Sequence, residues 1–391
     1  MDFILQALLQ LAVIMAAVKL MGELAIRLGQ PSVLGKLLAG VLVGPAVLGW
    51  VESADWIEVF AEIGVLLLMF LAGMETDLKA LNENRTPSLA VATGGVVLPF
   101  IGGWAAGLWL GLSQGEAIFL GLVLSATSVS ISVQTLRELG KLHTRESTTI
   151  LGAAIADDIM AVLGLAVVLG LVLAGDVNLA LVIGKMAAFA VLAVLMVWKG
   201  IPLLLKLASR LHVTEPVTSA ALIIALLMAV LAELSEMAGI IGSFAAGLAV
   251  SRTPHGEAVL KRVEPVAYTL FVPVFFVSIG LHVTFEGFSG QWLPFIVLSA
   301  IAVLTKLVGS ALGARMTGFN LRSSLVIGSG MVSRGEVALI LASLGLGSGY
   351  VPAELYTTLV LVIVLTTVAA PPMLKWTLRE PKAAPQSEGR R

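Results

Sequence analysis

The stretch Val33-Leu-Gly-Lys-Leu-Leu-Ala-Gly-Val-Leu-Val43 is repeated in the second half of the chain as Ile240-Ile-Gly-Ser-Phe-Ala-Ala-Gly-Leu-Ala-Val250, 207 residues later. Small residues that allow helices to pack closely stand at the same places in both copies. Within these stretches Gly40 aligns with Gly247, and the same spacing aligns two further features: Gly73 with Gly280, and the polar segment 126–130 with 333–337. We therefore predict an internal repeat, the alternative being chance similarity between helices rich in glycine and alanine.

The composition excludes an ordinary soluble domain. Of the 391 residues, 58% are hydrophobic and only 13% are charged, with a mean hydropathy of +1.01. Soluble domains carry about 25% charged residues. The formal net charge of −1 provides no basic surface, so no nucleic-acid partner is expected. The absence of cysteine excludes disulfide frameworks and thiolate metal sites.

Apolar runs occupy most of the chain, and each is close to the length of about 20 residues that a membrane-spanning helix needs. They do not alternate between polar and apolar residues, so helices are predicted rather than barrel strands. The ninth run is short, and its alternative to a plain span is a broken or re-entrant helix. The thirteen predicted spans are Phe3–Leu28, Pro31–Gly49, Trp56–Met74, Thr86–Leu112, Glu116–Leu136, Glu146–Gly175, Asn178–Lys199, Pro216–Ala238, Gly239–Ser251, Glu264–Val283, Gln291–Arg315, Arg322–Leu346 and Pro352–Leu378.

The basic residues predict the orientation of these spans. Most of the 24 Lys and Arg residues fall in alternate loops or after the last span. The charged residues of the opposite loops are all acidic. Basic loops remain on the cytoplasmic side of a membrane. The N-terminus is therefore expected outside, and the C-terminus and the polar tail 379–391 in the cytoplasm.

The offset of 207 residues aligns each predicted helix with the helix that comes seven helices later in the chain. Because seven is odd, the two copies point in opposite directions across the membrane, which is typical of secondary transporters. We expect an all-α polytopic membrane protein with 13 transmembrane helices. Helices 1–6 and 8–13 form two inverted-topology repeats of six helices, and helix 7 links them.

Two predicted spans are interrupted by small polar residues near their middle. These are Ser125–Ser132 in the fifth span and Gly328–Glu336 in the twelfth. Such stretches are tolerated in a membrane where an unwound helix lines a cavity or binds an ion. The alternative is two continuous helices whose hydroxyls bond to their own backbone. Within the second interruption, Arg334 and Glu336 are expected to neutralise one another and to hold the unwound segment.

Three charged residues fall near the middle of their predicted spans: Asp157, Asp158 and Lys306. A charge at that depth costs several kcal/mol unless it is paired or hydrated, so the three are expected to meet. Neighbouring residues on a helix point about 100° apart. One aspartate can therefore pair with Lys306 while the other faces a water-filled cavity. A purely structural ion pair would leave the second aspartate unexplained.

The available groups are carboxylate, hydroxyl and carbonyl oxygens, which suit a small cation. No nucleotide-binding loop or nucleophile–base pair is found, so neither an enzyme nor a cofactor is expected. A carboxylate that binds a cation when ionised and a proton otherwise can exchange one for the other. We predict antiport by such competition at Asp158. If Lys306 supplies a second proton, exchange for a monovalent cation is electrogenic.

These residues resemble those of the second cation:proton antiporter family, and in particular the bacterial NapA-type sodium/proton antiporters. The resemblance covers roughly residues 3–378. It is carried by Lys306 and by four segments, namely Ala156-Asp157-Asp158, Phe70-Leu-Ala-Gly-Met-Glu75, Thr127–Ser130 and Ser333–Glu336. It implies that Asp158 binds the cation (Na⁺ or Li⁺) or the proton and that Asp157 pairs with Lys306. It also places Thr127 and Ser128 near the ion, with Ser130 in the supporting break.

The resemblance further implies a homodimer in the plasma (inner) membrane of a bacterium. A dimer domain would comprise residues 1–85 and 216–290. A core domain would comprise residues 86–175 and 291–378 and move against it as an elevator, with 176–215 as the linker. Such alternating access carries a site across the membrane between two rigid bodies.

Other transport functions remain open at this point. A potassium/proton exchanger on the same scaffold would use the same oxygen chemistry. A sodium-coupled symporter of an organic anion would need a basic or polar substrate pocket beside the ion site. A channel is disfavoured, because a pore needs weak, hydrated sites in file rather than a buried pair of opposite charges.

Overall fold

The computed structural model describes residues 3–172, 179–283, 288 and 290–379. Within these ranges the chain is helical, without a strand. The predicted tail lies outside them from residue 380 onward. The helices are α1 (Phe3–Arg27), α2 (Ser32–Val43), α3 (Asp55–Glu75), α4 (Leu78–Glu83), α5 (Arg85–Trp109), α6 (Gln114–Ser125), α7 (Val129–Glu138), α8 (Arg145–Val172), α9 (Leu179–Leu195), α10 (Ile201–Ala208), α11 (Pro216–Leu234), α12 (Gly239–Ser251), α13 (Gly256–Val266), α14 (Val272–Leu281), α15 (Trp292–Met316), α16 (Leu321–Gly330), α17 (Glu336–Gly347) and α18 (Ala353–Leu378).

Two π-helical segments join helices that would otherwise be separate. Met196–Gly200 connects α9 to α10, and Ala267–Phe271 connects α13 to α14. The seventh predicted span therefore runs on to Ala208 and the tenth begins as early as Gly256. By contrast, the second predicted span leaves helical conformation after Val43, because the proline after Gly44 disfavours helix at the preceding residue.

In the described part of the chain, ten helices are long and apolar enough to cross a membrane by length and composition. Three shorter apolar helices accompany them: Ser32–Val43, Gly239–Ser251 and Val337–Gly347. Helices of eleven to thirteen residues span about 20 Å or less, which is shorter than the hydrocarbon core of about 30 Å. The all-helical membrane architecture is thus confirmed, while the number of thirteen crossings stays a prediction.

Gly40 and Gly247, which the predicted repeat aligns, make matching close contacts. A β-carbon added to Gly40 of α2 would lie 2.3 Å from the carbonyl oxygen of Val277 on α14. One added to Gly247 of α12 would lie 2.0 Å from that of Phe70 on α3. Val277 follows Phe70 by the same 207 residues that separate the two glycines. Glycine at both positions lets the paired backbones touch, as small residues do between membrane helices.

The helices pack in two groups. The core group is built on α5, which packs along α15, with α6, α7, α8, α16, α17 and α18 around that pair. The scaffold group contains α1, α2, α3 and α11 to α14, with its largest pairings between α3 and α12 and between α1 and α2. The buried charged side chains Asp157, Asp158, Lys306 and Arg334 all lie in the core group, which therefore holds the candidate functional site.

Candidate functional site

Both predicted interruptions leave helical conformation, and the two unwound segments cross. One lies between α6 and α7, the other between α16 and α17. The amide of Ser128 donates to the carbonyl of Ser333 over 2.8 Å, and the Ser333 hydroxyl donates to the carbonyl of Ser128 over 2.6 Å. The Ser132 hydroxyl lies 3.2 Å from that of Ser333 and also donates to the carbonyl of Gly330. Each break thus satisfies backbone groups that the other exposes.

Lys306 reaches this crossing from α15. Its ammonium lies 3.0 Å from Oδ1 of Asp157 and donates to the carbonyl of Ser125 over 2.6 Å. The side chains of Lys306 and Asp157 are 0% and 1% exposed. Ser125 is the last residue of α6, where the free carbonyls carry partial negative charge. The ammonium is therefore neutralised by a carboxylate and by a helix C-terminus together.

Arg334 lies in the second break and is fully buried. Its Nε donates to the carbonyl of Leu124 over 3.1 Å, and its Nη1 donates to that of Val332 over 3.2 Å. The carbonyl of Arg334 accepts the hydroxyl of Thr367 on α18. Arg334 thus ties the unwound segment to the end of α6. The expected neutralisation by Glu336 falls on a side chain outside the described residues.

The side chain of Asp158 leaves α8 in a direction about 100° from that of Asp157, because the two are neighbours on one helix. It is 6% exposed and lines a small cavity between α8 and the scaffold group. The other residues that line it are Met69, Val129, Leu151, Ile155, Ile240, Ile241 and Phe244. The adjacent acids therefore face different surroundings, one an ammonium and the other a cavity.

Several buried oxygens at the crossing have no hydrogen-bond partner. They are Oδ2 of Asp157, Oγ1 of Thr127 and Oγ of Ser130. Leaving a buried polar atom unpaired costs about 1–3 kcal/mol, and carboxylate and hydroxyl oxygens are ligands for hard cations. These atoms give the crossing a capacity to coordinate an ion. Among the described residues, no three His, Cys, Asp or Glu side chains form a metal-binding cluster.

A larger cavity of about 350 Å³ opens beyond Asp158. It is lined on α8 by Ala161 and Val162, about one turn past Asp158 toward Val172, and Ile240 lines both cavities. Three carboxylates lie on its wall, those of Glu62, Glu233 and Glu236, and none of the described residues that line it is basic. Glu236 is paired with Lys185 over 3.0 Å, outside this lining. The cavity offers an acidic approach toward the buried aspartate.

The structure brings together most of the residues that the sequence singles out. Asp157, Lys306 and Arg334 meet around the end of α6, and Ser128 lies in the crossing itself. Sequence reasoning missed Ser132, Ser333 and Thr367 as supporting residues. The first two lie inside the polar interruptions and could have been found there. Thr367 lies in an apolar run and gives no such signal.

A family model described as "Sodium/hydrogen exchanger, transmembrane" matches residues 12–380. The Na(+)/H(+)-K(+) antiporter GerN of Bacillus cereus is 55% identical over 368 residues, which cover 94% of this chain and 95% of the relative. A Na(+)/H(+) antiporter of Enterococcus hirae is 41% identical over 370 residues, covering 94% and 96%.

Among solved structures, the sodium proton antiporter MjNhaP1 from Methanocaldococcus jannaschii at pH 8 superimposes with a TM-score of 0.69. The match covers 97% of this chain and 99% of that one at 17% sequence identity. At this identity the likeness supports the fold alone, since one fold hosts many functions. It agrees with the all-helical architecture described above.

Proposed function

The chain belongs to the sodium/hydrogen exchanger family of cation:proton antiporters, and from this premise we propose that it exchanges Na⁺ or Li⁺ for protons at Asp158. One observation carries the proposal. Two adjacent acids in α8 have different surroundings. Asp157 lies 3.0 Å from the Lys306 ammonium, whereas Asp158 lines a cavity. A lone structural ion pair has no use for the second acid.

Competition at Asp158 follows from carboxylate chemistry. When ionised, Asp158 attracts a small cation, with oxygens of Asp157, Thr127, Ser128 and Ser130 as further candidate ligands. When protonated, it cannot hold the cation, because the negative charge is gone. Cation and proton therefore occupy the site in turn, and each drives the release of the other.

Lys306 is proposed to make the exchange electrogenic. If the ammonium gives up its proton when its contact with Asp157 breaks, two protons are exchanged for one monovalent cation. One net charge then crosses the membrane in each cycle. A membrane potential of 100 mV contributes about 2.3 kcal/mol per charge to such a step.

The movement is proposed to be an elevator. Residues 86–175 and 291–378 would carry the site as a core domain, and residues 1–85 and 216–290 would hold a homodimer. Thirteen spans in two inverted units, with the C-terminus in the cytoplasm of a bacterium, complete the proposal. The division into a core group and a scaffold group supports it, as do the matching contacts of Gly40 and Gly247.

Proteoliposomes with an imposed pH gradient test the proposal. Addition of Na⁺ or Li⁺ is expected to discharge the pH gradient through the unaltered protein. Asp158→Asn should abolish this response, because the neutral amide has no negative charge to balance that of a bound cation. Glu257→Gln serves as the control, since Glu257 is an exposed acid in the first turn of the scaffold helix α13. Continued sodium-driven proton movement in Asp158→Asn removes Asp158 from the mechanism.

Potassium/proton exchange is the second candidate, and a specific observation favours it. The relative that is 55% identical bears K⁺ in its name beside Na⁺. Carboxylate and hydroxyl oxygens accept both ions, and selectivity depends on the size and number of ligands. The same liposomes with K⁺ as the added cation distinguish sodium/proton exchange from potassium/proton exchange.

A sodium-coupled symporter of an organic anion finds less support. That function needs a basic or polar substrate pocket beside the ion site. The large cavity next to Asp158 is lined instead by apolar residues and the carboxylates of Glu62, Glu233 and Glu236. Such a wall repels an anion and attracts a cation.

A further inference from the structure

Arg137, at the end of α7 that lies far from the helix break, binds two helices of the scaffold group. Its Nη2 lies 2.9 Å from Oε1 of Glu75 on α3 and 2.6 Å from Oε1 of Glu264 on α13. Its guanidinium also stands over the Tyr268 ring, 4.9 Å from the ring centre. The Arg137 side chain is only 18% exposed, so water screens these contacts less than it screens a surface pair.

Glu138, the next residue on α7, binds a third helix of the scaffold group. Its carboxylate accepts from the Lys36 ammonium over 2.8 Å and from the amide of Val33 over 3.1 Å. The hydroxyl of Ser32 donates to it as well. These partners form the first turn of α2, where free amides favour a negative charge. Glu138 therefore acts as a cap that the core group supplies to a scaffold helix.

These contacts lie on the opposite side of Asp158 from the large cavity, as α3 shows. Glu62 and Val65 line the cavity, Met69 stands beside Asp158, and Glu75 binds Arg137. Thirteen residues separate Glu62 from Glu75, about 20 Å along a helix. The acidic cavity thus approaches Asp158 from one side of the molecule, and the ion pairs join the two helix groups on the other.

We infer that Arg137 and Glu138, with Glu75, Glu264 and Lys36, form a gate that shuts Asp158 off from the basic-loop side and must open before the site can face that side. The inference rests on the proposed alternating access and assigns the contacts that hold one of its two states. Opening the gate separates partly buried charges from their partners, which favours the closed state. Loss of one partner should shift the population toward the open state.

The chain contains no cysteine, so single reporter cysteines can be placed freely. Leu151→Cys lies two turns from Asp158 toward Arg145, between the site and the gate. A membrane-impermeant maleimide applied from the basic-loop side should label it slowly in the parent. Addition of Arg137→Gln should raise that rate on the order of tenfold, the effect of a shift of about 1.4 kcal/mol. With Arg137→Lys, which keeps a positive charge, the labelling rate should be close to that of the parent.

Lys261→Gln is the matched control, because Lys261 forms an exposed ion pair with Glu257 within α13. It should leave labelling unchanged. Glu138→Gln tests the second half of the gate and should act in the same direction as Arg137→Gln, so the inference does not depend on one variant folding. Unchanged labelling of Leu151→Cys in both variants overturns the gate.

Transport measured on the same preparations separates this inference from the proposed function. Faster labelling without sodium/proton exchange in the parent would keep the gate and reject the proposed exchange. Exchange in the parent with unchanged labelling in Arg137→Gln and Glu138→Gln would do the reverse. Neither result leaves the gate undecided, because the labelling rate does not depend on which cation is carried.

Discussion

At the scale of single residues, the cost of burying charge explains the arrangement around Lys306. Its ammonium is fully buried and is held by the Asp157 carboxylate and the Ser125 carbonyl. A charge left alone at that depth costs several kcal/mol. A neutral amide can still donate to the carbonyl, whereas the ion pair with Asp157 needs a positive charge, so the two contacts can be separated by substitution.

Lys306→Gln is expected to retain the fold and to lose voltage coupling. The amide can still donate to the carbonyl of Ser125 but carries no proton to release. The effect is measured as exchange rates in proteoliposomes at a series of imposed membrane potentials. These rates should depend clearly on the potential in the unaltered protein and little or not at all in Lys306→Gln. Lys79→Gln, which alters an exposed ion pair with Glu83 within α4, is the control. Unaltered voltage dependence in Lys306→Gln would assign Lys306 a structural role.

At the scale of elements, the crossing depends on how closely the two unwound segments approach. Ser128 and Ser333 exchange hydrogen bonds between their backbones and a side chain. Gly335 is the last residue of the second break, and a β-carbon there would lie 2.6 Å from Oγ of Ser128. The contact leaves no space for a side chain, so the position of the Ser128 hydroxyl depends on glycine at 335.

Gly335→Ala is expected to weaken cation binding by displacing Ser128. We expect the apparent KM for Na⁺ to rise on the order of tenfold, equivalent to about 1.4 kcal/mol. Gly347→Ala, at the other end of α17, is the matched control because no atom lies within 4 Å of the added carbon. Sodium titration of exchange in proteoliposomes measures both. Equal KM values in the two variants would show that Ser128 does not contribute to the ion site.

At the scale of the whole molecule, two helix groups meet around a buried acid. The scaffold group is held by backbone contacts such as that of Gly247 with Phe70, whereas the two groups are joined at α7 by ion pairs with α2, α3 and α13. Close backbone packing resists relative movement, because interiors are packed to crystal-like density. Ion pairs can separate and re-form, which suits a boundary that moves.

Gly247→Ala is expected to lower thermal stability by forcing α12 away from α3. The added carbon would lie 2.0 Å from a carbonyl oxygen, and overpacking of this kind costs about 1–3 kcal/mol. Gly184→Ala on α9 is the control, because its added carbon meets nothing within 4 Å. Thermal unfolding in detergent compares the two. A Gly247→Ala protein as stable as Gly184→Ala would mean that this contact does not hold the scaffold group together.

Much of the architecture could be predicted from the sequence, because membrane insertion acts on local composition. Runs of apolar residues predicted the helices, and small polar stretches predicted both interruptions, at Ala126–Ser128 and Met331–Gly335. Helix boundaries were less well predicted. The early start of α13 at Gly256 lies in a charged, amphipathic segment that a hydropathy pattern does not register.

The sequence by itself determined that the chain is a bundle of apolar helices and that Asp157, Asp158 and Lys306 had to find partners, since hydrocarbon does not tolerate lone charges. In the tertiary structure Asp157 meets Lys306, the pairing that the family resemblance implies. Tertiary structure alone decided that Arg334 binds the end of α6 and that Arg137 reaches Glu75 and Glu264. Local composition sets the cost of burying a residue. Its partner is chosen by how helices distant along the chain pack together, and no local pattern encodes that choice.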